Sequence, residues 1–405
     1  MKLMKKMKSI RISTTLLITI AITAVLGTNE GQVHAQATSI VSPTTTTTKT
    51  IPTVDVVPNT WEYDTKHTNN DFFIKNGIAY LSYKQASEIF QDLVWSYDQN
   101  TGYLNVSGPN RTLSWKVSSK TATLNGKARM MSAPLLQRNG DINLPLRDLL
   151  SWSGGSIKSN NTNMITVSYP ILNVLSGDAK GWYWVRKDNG IVYTAIGSQM
   201  PHNIGRSAVR AIEYANMSVI HIDVNSSVLQ VNYNYGEPHL GNDIYKLYIY
   251  NGKLVRESHV RYYGGSQVES IGEADGLTVM LNGSELLLVR SNATVEQKYD
   301  LKKLGGLDEE YTVEYAYSKD GILVIRPYET QTLLLINPKL DAPVVLYKEI
   351  LSKEDQKLFE EAEKSVFMPL SDGLQFVKRD GDTFTFKHTQ LFNKGTKELT
   401  YTLTH

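Results

Sequence analysis

The spacing of apolar residues changes period at Pro145. Before it, Ile142 and Leu144 alternate with polar positions as in a strand. Pro145 has a fixed φ that suits the first turn of a helix. Apolar residues then recur at i, i+3 and i+4, which predicts a short amphipathic helix: Leu146, Leu149 and Leu150. A helix of about three turns is marginal alone, so we expect it to pack on a sheet that includes its flanking strands.

The sequence also predicts where the helix ends and where a second strand follows. Gly154-Gly155 predicts the helix C-terminus, because glycine adopts the left-handed conformation at low cost. A polar loop is expected over Lys158–Asn163, and Met164–Val167 is typical of a β-branched strand. The sequence therefore predicts a strand, a helix and a second strand in a compact unit.

A similar unit occurs earlier in the chain, where residues 76–107 align with residues 139–168. The aligned pairs include Leu81 with Leu144, Ser82 with Pro145, Lys84 with Arg147 and Val106 with Val167. Between the copies, two alternating runs joined at Asn125-Gly126 predict a hairpin. Chance similarity is the alternative, but neither copy could bury its helix alone, which favours one small α+β domain with a shared sheet.

The second copy resembles the secreted bacterial domain named after the N-terminal domain of copper amine oxidases. The residues that carry the resemblance are Asn139, Gly140, Leu144, Pro145, Leu146, Arg147, Gly154, Ile165 and Val167. The first copy departs from the pattern at Ser82 and at Gln91-Asp92. The resemblance implies an α+β repeat domain, which we assign to residues 61–171.

From residue 180 to residue 405 the pattern changes to short β-rich runs separated by turn dipeptides, each predicting a hairpin. The dipeptides are Asn189-Gly190, Asn251-Gly252, Asp275-Gly276, Asn282-Gly283, Asp320-Gly321, Asp372-Gly373 and Asp380-Gly381. Their spacing predicts an all-β, propeller-like domain of about five blades, with a β-sandwich as the alternative. Ser352–Val366 interrupts the pattern and begins like a capping box, which predicts a helix between the last two β units.

The N-terminal residues predict export. Residues 1–37 contain a basic start, an apolar run and small residues at cleavage spacing, as in a signal peptide with cleavage after Ala35 or Ala37. The apolar run is shorter than the roughly 20 residues of a spanning helix, which disfavours an uncleaved membrane anchor. Residues 38–60 are rich in Thr and Pro and are expected to act as a spacer.

Charge and cysteine content argue against several kinds of binding and attachment site. The first 37 residues contain five Lys and Arg and one acid, so their removal changes the formal charge from +2 to −2. No basic tract then remains to indicate nucleic-acid binding. The chain has no cysteine, which excludes disulfides, thiolate metal sites and lipid attachment at an N-terminal cysteine.

An amine oxidase activity is disfavoured despite the family's name. The segment Val231–Glu237 is similar to the one in which that enzyme's tyrosine becomes its quinone cofactor, with Tyr233 in the matching place, but Leu229 and Asn234 depart from the motif. The copper site also needs a His-x-His pair, and the chain has none. We expect structural roles for the eight histidines, at positions 34, 67, 202, 221, 239, 259, 388 and 405.

Other catalytic signals are weak. Glu213 with Asp223, or Glu309 with Glu310, could serve as a glycosidase pair, although so many acids make such pairs by chance. Residues 379–384 are better explained by a hairpin turn than by a calcium loop. We therefore expect no catalytic, cofactor-binding or metal-ligating residue.

Aromatic residues are the remaining indication of function. The chain has 23 tyrosines and 6 tryptophans. Those that alternate or adjoin on predicted strands are Trp182, Trp184, Tyr245, Tyr248, Tyr250, Tyr262 and Tyr263. They are expected mainly to fill sheets, but such rings also stack on sugars and partner proteins. The sequence thus predicts an exported, non-catalytic binding or scaffold protein that attaches to cell-wall polysaccharide or a surface protein. A secreted polysaccharide-acting enzyme is the alternative.

Overall fold

The computed structural model describes most of the chain beyond the predicted spacer. The described residues are 59–64, 72–160, 164–197, 199–211, 215–236, 240–264, 269–362, 370–390 and 395–403. The predicted signal peptide and nearly all of the predicted spacer lie outside them. Within these ranges no helix is both long and apolar enough to cross a membrane.

The N-terminal part alternates short strands with two short helices. Its elements are β1 (Asn59–Asp64), β2 (Phe72–Lys75), β3 (Ile78–Ser82), α1 (Tyr83–Ile89), β4 (Val94–Asp98), β5 (Tyr103–Gly108), β6 (Arg111–Lys116), β7 (Thr121–Leu124), β8 (Lys127–Met130), β9 (Leu136–Arg138), β10 (Asp141–Pro145), α2 (Leu146–Ser153), β11 (Ser156–Asn160) and β12 (Met164–Tyr169). They form three sheets, ordered β2-β3-β10-β9, β4-β5-β6-β7-β8 and β1-β12-β11.

The two sequence repeats share the first of these sheets, as predicted. Each begins with a hairpin, β2-β3 or β9-β10, that turns on an Asn-Gly pair with positive φ at both residues. Both helices follow directly, but they start differently. The Ser82 side chain accepts a hydrogen bond from Gln85 N, 3.1 Å away, whereas Pro145 precedes α2 with no side-chain cap. Gly154 ends α2 in the left-handed conformation, as predicted.

The strands that follow the helices correct the sequence interpretation. They do not join the shared sheet: β4 and β5 belong to the five-stranded sheet, and β11 and β12 to the three-stranded one. Residues 158–160, predicted as loop, belong to β11, because that strand forms a hairpin with β12. The hairpin predicted at Asn125-Gly126 is present between β7 and β8. One apolar core nevertheless joins both helices to all three sheets.

In the described residues after Leu172, the strands form five consecutive antiparallel sheets, named I to V. Sheet I comprises β13 (Asn173–Asp178), β14 (Gly181–Arg186), β15 (Ile191–Ala195) and β16 (His202–Arg206). Sheet II comprises β17 (Ala215–His221), β18 (Ser226–Tyr235), β19 (Gly241–Tyr250) and β20 (Lys253–Tyr263). Sheet III comprises β21 (Glu273–Ala274), β22 (Leu277–Asn282), β23 (Glu285–Val289) and β24 (Val295–Asp300), with α3 (Leu301–Gly305) after it.

Two more sheets complete this region. Sheet IV comprises β25 (Tyr311–Ala316), β26 (Leu323–Pro327), β27 (Leu334–Ile336) and β28 (Val344–Val345), with α4 (Leu346–Ile350) and α5 (Lys353–Glu361) after it. Sheet V comprises β29 (Leu374–Asp380), β30 (Thr383–Thr389) and β31 (Thr396–Thr402). Helix α5 matches the predicted helix, and the Ser352 side chain accepts from Asp355 N at its start. Strand β13 lies in the stretch between residues 171 and 180, which the two predicted domain ranges leave unassigned.

Most predicted turns connect strands of one sheet. Asn251 and Asp275 have positive φ together with the glycines that follow them, as in the tight hairpin turns that the sequence predicts. Asp372-Gly373 is the exception, because it leads from the preceding loop into β29 rather than joining two strands.

The five sheets pack face to face in chain order. Apolar clusters join sheet I to sheet II, sheets II and III to sheet IV, and sheet IV to sheet V. The other face of sheet I, which includes Trp182 and Trp184, packs against Val94 of the N-terminal part. The outward face of sheet V is polar and pairs Thr385 with Thr400 and Lys387 with Glu398. The region is therefore β-rich with many sheets, and a closed propeller is not confirmed. A two-sheet sandwich does not match five sheets.

Candidate functional site

A cleft of about 1180 Å³ opens between sheets I and II. It lies where the β13-β14, β17-β18 and β19-β20 turns come to the same end of the two sheets. Because each connection is a hairpin of two to four residues, the sequence places short, mostly polar turns around the opening and apolar strand residues below it. The cleft therefore has the composition of a binding site, an apolar floor with a few polar groups at its edge.

The floor and the rim differ in chemistry. Tyr183, Ile204 and Ile249 are buried and belong to the core between the sheets. The exposed rim also includes Ile196, Asp223 and Val224, but most of its side chains are amides and cations. These are Gln199, Asn203, Asn225, Asn251, Lys180 and Lys253. Amide side chains both donate and accept hydrogen bonds, and ammonium groups donate them. Such a rim suits a ligand with many hydroxyl groups.

His221 joins the two sheets at the edge of the cleft. Its Nε2 lies 3.2 Å from Asp178 Oδ2 of sheet I, and its Nδ1 lies 3.0 Å from Ser227 Oγ of sheet II. A histidine between a serine and an aspartate invites comparison with a hydrolase triad. However, Ser227 is only 6% exposed, so a substrate could not reach its hydroxyl. The three residues hold the sheets together at this point.

The carboxylates near the cleft are poor proton donors. A backbone hydrogen bond from Lys180 holds the pKa of Asp178 below its usual value, and one from Asn225 does the same for the pKa of Asp223. A glycosidase needs one carboxyl with a raised pKa to protonate the leaving oxygen. Asp223 lines the cleft, while its proposed partner Glu213 lies outside the described residues.

The other proposed acid pair lies elsewhere, at the start of sheet IV. Burial raises the pKa of Glu309, and it raises the pKa of Glu310 to about 7 against a hydrogen bond from the Arg261 backbone. Glu310 Oε2 is buried without a hydrogen-bond partner. This value suits a general acid, but neither glutamate lines the cleft.

The sequence-selected aromatic residues divide between core and surface roles. Trp184 is fully buried and its Nε1 donates to the Asp92 carbonyl, 2.9 Å away, at the junction of the two parts. Tyr245, Tyr248 and Tyr262 are buried in sheet II. Tyr233 is only partly buried and lies on β18, 6.1 Å from the ring of Tyr235.

The remaining candidate residues that the structure describes lie in the cleft, in sheet II and in sheet V. His202 and His221 line the cleft, His259 lies on sheet II and His388 is buried in sheet V. Histidines 34, 67, 239 and 405 lie outside the described residues. Residues 379–384 form the β29-β30 turn, where Asp380 pairs with Thr383. In the described ranges, no group of three or more His, Asp and Glu is placed to hold a metal ion.

Sequence reasoning missed the cleft as a whole. Asp178 and His221 are 43 residues apart, and their proximity depends on how sheets I and II stack. The sequence did contain one signal, the polar turns that recur after strands of both sheets. These turns can be assigned to a common end only when the order of the strands in the sheets is already known.

Comparisons with known proteins add little about the cleft. Curated protein sequences give no match. Among solved structures, a puromycin-hydrolyzing peptidase of Mycobacterium tuberculosis is similar at 11% identity, with a TM-score of 0.21. The match covers 74% of this chain and 44% of that one, so the chain spans less than half of the peptidase chain. Residues 62–167, however, match the family described as copper amine oxidase N-terminal domain, a non-catalytic domain, and a β-rich region follows them.

Proposed function

We propose that this protein is an exported, non-catalytic binding protein of the bacterial cell surface, and that the cleft between sheets I and II binds a wall polysaccharide. The cleft itself carries the proposal, because it combines a volume of about 1180 Å³ with exposed amides and lysines at its rim, above a buried apolar floor. Amides donate to and accept from sugar hydroxyls, and ammonium groups donate to them.

Electrostatics favour binding over hydrolysis. Asp178 and Asp223 have lowered pKa values, so both are ionised near neutral pH. Neither can supply the proton that glycosidic cleavage requires. Glu310 has a suitable pKa of about 7, which is the observation in favour of a polysaccharide-acting enzyme, but it lies away from the cleft with one oxygen buried.

The architecture suits a surface-attached binder. Within this proposal, the five sheets follow one another like propeller blades but do not close into a ring. The N-terminal part supports this, because it packs on the face of sheet I that the last blade would contact in a closed ring. The Thr- and Pro-rich residues 38–60 would then hold this row away from the surface from which the chain emerges.

A cleft variant tests the proposal. Gln199→Ala combined with Lys253→Ala removes two exposed rim side chains without altering the floor. We expect at least a tenfold loss in affinity for solubilised wall glycan, measured by calorimetry with residues 38–405. Lys357→Ala removes an exposed lysine of α5 and serves as the matched control. Equal affinity of the cleft variant and the control would refute the assignment of the cleft.

A further inference from the structure

A second aromatic surface lies at the opposite end of sheet II. In its last row, Gly241 pairs with Tyr235 on one side and with Tyr263 on the other. The next row contains Tyr233 and Asp243. Because residues two apart on a strand share a face, these tyrosines continue the face that packs on sheet I, beyond its buried core. We call Tyr233, Tyr235 and Tyr263 the tyrosine shelf.

The shelf is fixed by a glycine. The ring centroid of Tyr235 lies 6.1 Å from that of Tyr233 and 6.5 Å from that of Tyr263. A Cβ at position 241 would lie 2.4 Å from the Tyr235 ring, so only glycine allows the ring to lie against this strand. The three rings thus form a partly exposed aromatic surface of defined orientation.

An ion pair holds a guanidinium group over the shelf. The Arg261 guanidinium lies 4.6 Å from the Tyr235 ring centroid, in a cation–π arrangement. Its Nε and Nη2 each donate to Asp243 at 2.8 Å, and His259 Nε2 lies 2.7 Å from the same carboxylate. The side chain of Asp243 is 1% exposed, whereas that of Arg261 is 57% exposed. A buried carboxylate therefore orients an accessible donor.

The charge balance indicates the class of ligand. Asp243 neutralises Arg261, and these hydrogen bonds hold the pKa of Asp243 below its usual value although burial opposes them. The shelf thus offers aromatic faces and a fixed donor without net positive charge. Free phosphate or an acidic polymer gains little there, whereas a neutral sugar ring can stack on tyrosine and accept a hydrogen bond.

We propose that the tyrosine shelf is a second saccharide-binding site, which stacks on a neutral sugar ring while Arg261 donates to its hydroxyls. This inference rests on the proposed function only for the class of ligand. The shelf and the cleft share no residue and lie at opposite ends of sheet II. A polymer that reaches both sites is held by two contacts, which raises avidity beyond that of either site.

Calorimetry with the N-acetylglucosamine tetrasaccharide tests the shelf in residues 38–405. The unaltered protein is expected to bind two molecules. Tyr235→Ala is expected to bind one, and Tyr235→Phe, which keeps the ring, is expected to bind two. Tyr103→Ala removes a 40% exposed tyrosine of β5 and is the control.

The cleft variant separates the two proposals. Gln199→Ala with Lys253→Ala should also bind one molecule, and its combination with Tyr235→Ala should bind none. If Tyr235→Ala binds as the unaltered protein does, or if the unaltered protein binds no tetrasaccharide, the shelf proposal is wrong. If only Tyr235→Ala loses a site, the shelf stands and the cleft assignment fails.

If Tyr235→Ala does not fold, an NMR resonance of the Tyr235 ring in the unaltered protein tests the proposal instead. In protein labelled with ¹³C at the tyrosine rings, Tyr235→Phe identifies the Tyr235 resonance by its disappearance. Addition of the tetrasaccharide should shift that resonance in the unaltered protein and leave that of Tyr103 in place. An unshifted Tyr235 resonance under saturating tetrasaccharide would overturn the shelf proposal.

Discussion

Leu81 of the first repeat pairs directly with Leu144 of the second across β3 and β10. These two residues also occupy equivalent positions in the aligned repeats, so the copies meet at a local two-fold axis. Helix α1 packs against β10 as well as β3, and α2 packs against β3 as well as β10. Each repeat thus helps to bury the helix of the other, which explains why a single copy would be incomplete.

Leu149 tests this interlocked core. It is fully buried in the cluster that joins both helices and the shared sheet. Leu149→Ala should lower the free energy of unfolding by about 2–5 kcal/mol, because it removes buried methyl groups and leaves a cavity. Urea unfolding of residues 38–405 measures the change.

Arg147, two residues earlier, provides the matched control. Its side chain is exposed on α2. Arg147→Ala should change the free energy of unfolding by no more than about 0.5 kcal/mol. A larger loss from Arg147→Ala than from Leu149→Ala would mean that the helix presents its other face to the sheet.

Arg326 links sheets IV and V from a fully buried position. It contacts Glu314 Oε1 at 2.8 Å and Asp372 Oδ1 at 2.9 Å, and all three side chains are almost inaccessible. Arg326→Met leaves two buried carboxylates without their cation, which should cost about 3–5 kcal/mol. Lys298→Met, which breaks an exposed pair with Glu285, should cost no more than about 1 kcal/mol. Similar losses in thermal unfolding of the two variants would contradict this role.

Glu310 should make stability depend on pH. Burial raises its folded-state pKa from 4.5 to about 7, so the folded chain binds more protons than the unfolded chain between these values. The unaltered protein therefore loses stability as the pH rises from about 4.5 to 7, because Glu310 then ionises in a buried position. The Glu310→Gln variant has no ionisable group there, so it does not lose stability in this way. The melting temperature of the variant minus that of the unaltered protein should increase from pH 4.5 to pH 7.5; a constant difference would contradict the pKa.

The N-terminal part should fold without the β-rich region that follows it. The buried Asp92 carboxylate accepts from Tyr169 at 2.6 Å and from Asn173 at 2.7 Å, and the Asp92 carbonyl accepts from Trp184. A fragment of residues 60–170 keeps Tyr169 and every buried residue of the N-terminal core, and it lacks only Ile171 among the residues that pack against that core. We predict that it unfolds cooperatively in a thermal melt, at a lower temperature than in the full chain. A fragment without a cooperative transition would show that sheet I is needed for folding.

Local signals in the sequence predicted local structure well. Gly154, Ser352 and the Asn-Gly pairs each act within a few residues, through left-handed φ or a side-chain cap, so their roles follow from residue type. The contact between Trp184 and Asp92 spans 92 residues and depends on which sheet faces meet. The cleft and the tyrosine shelf have the same origin, because stacking of whole sheets decides which turns and rings converge.

Binding to purified bacterial cell wall tests the central claim most directly. Residues 38–405 should sediment with the wall, and soluble wall glycan should compete them away. The wall should release no new reducing ends during the incubation, because the cleft holds glycan without a carboxyl able to protonate it. A protein that stays in the supernatant, or a wall that releases reducing sugar, would contradict the proposed function.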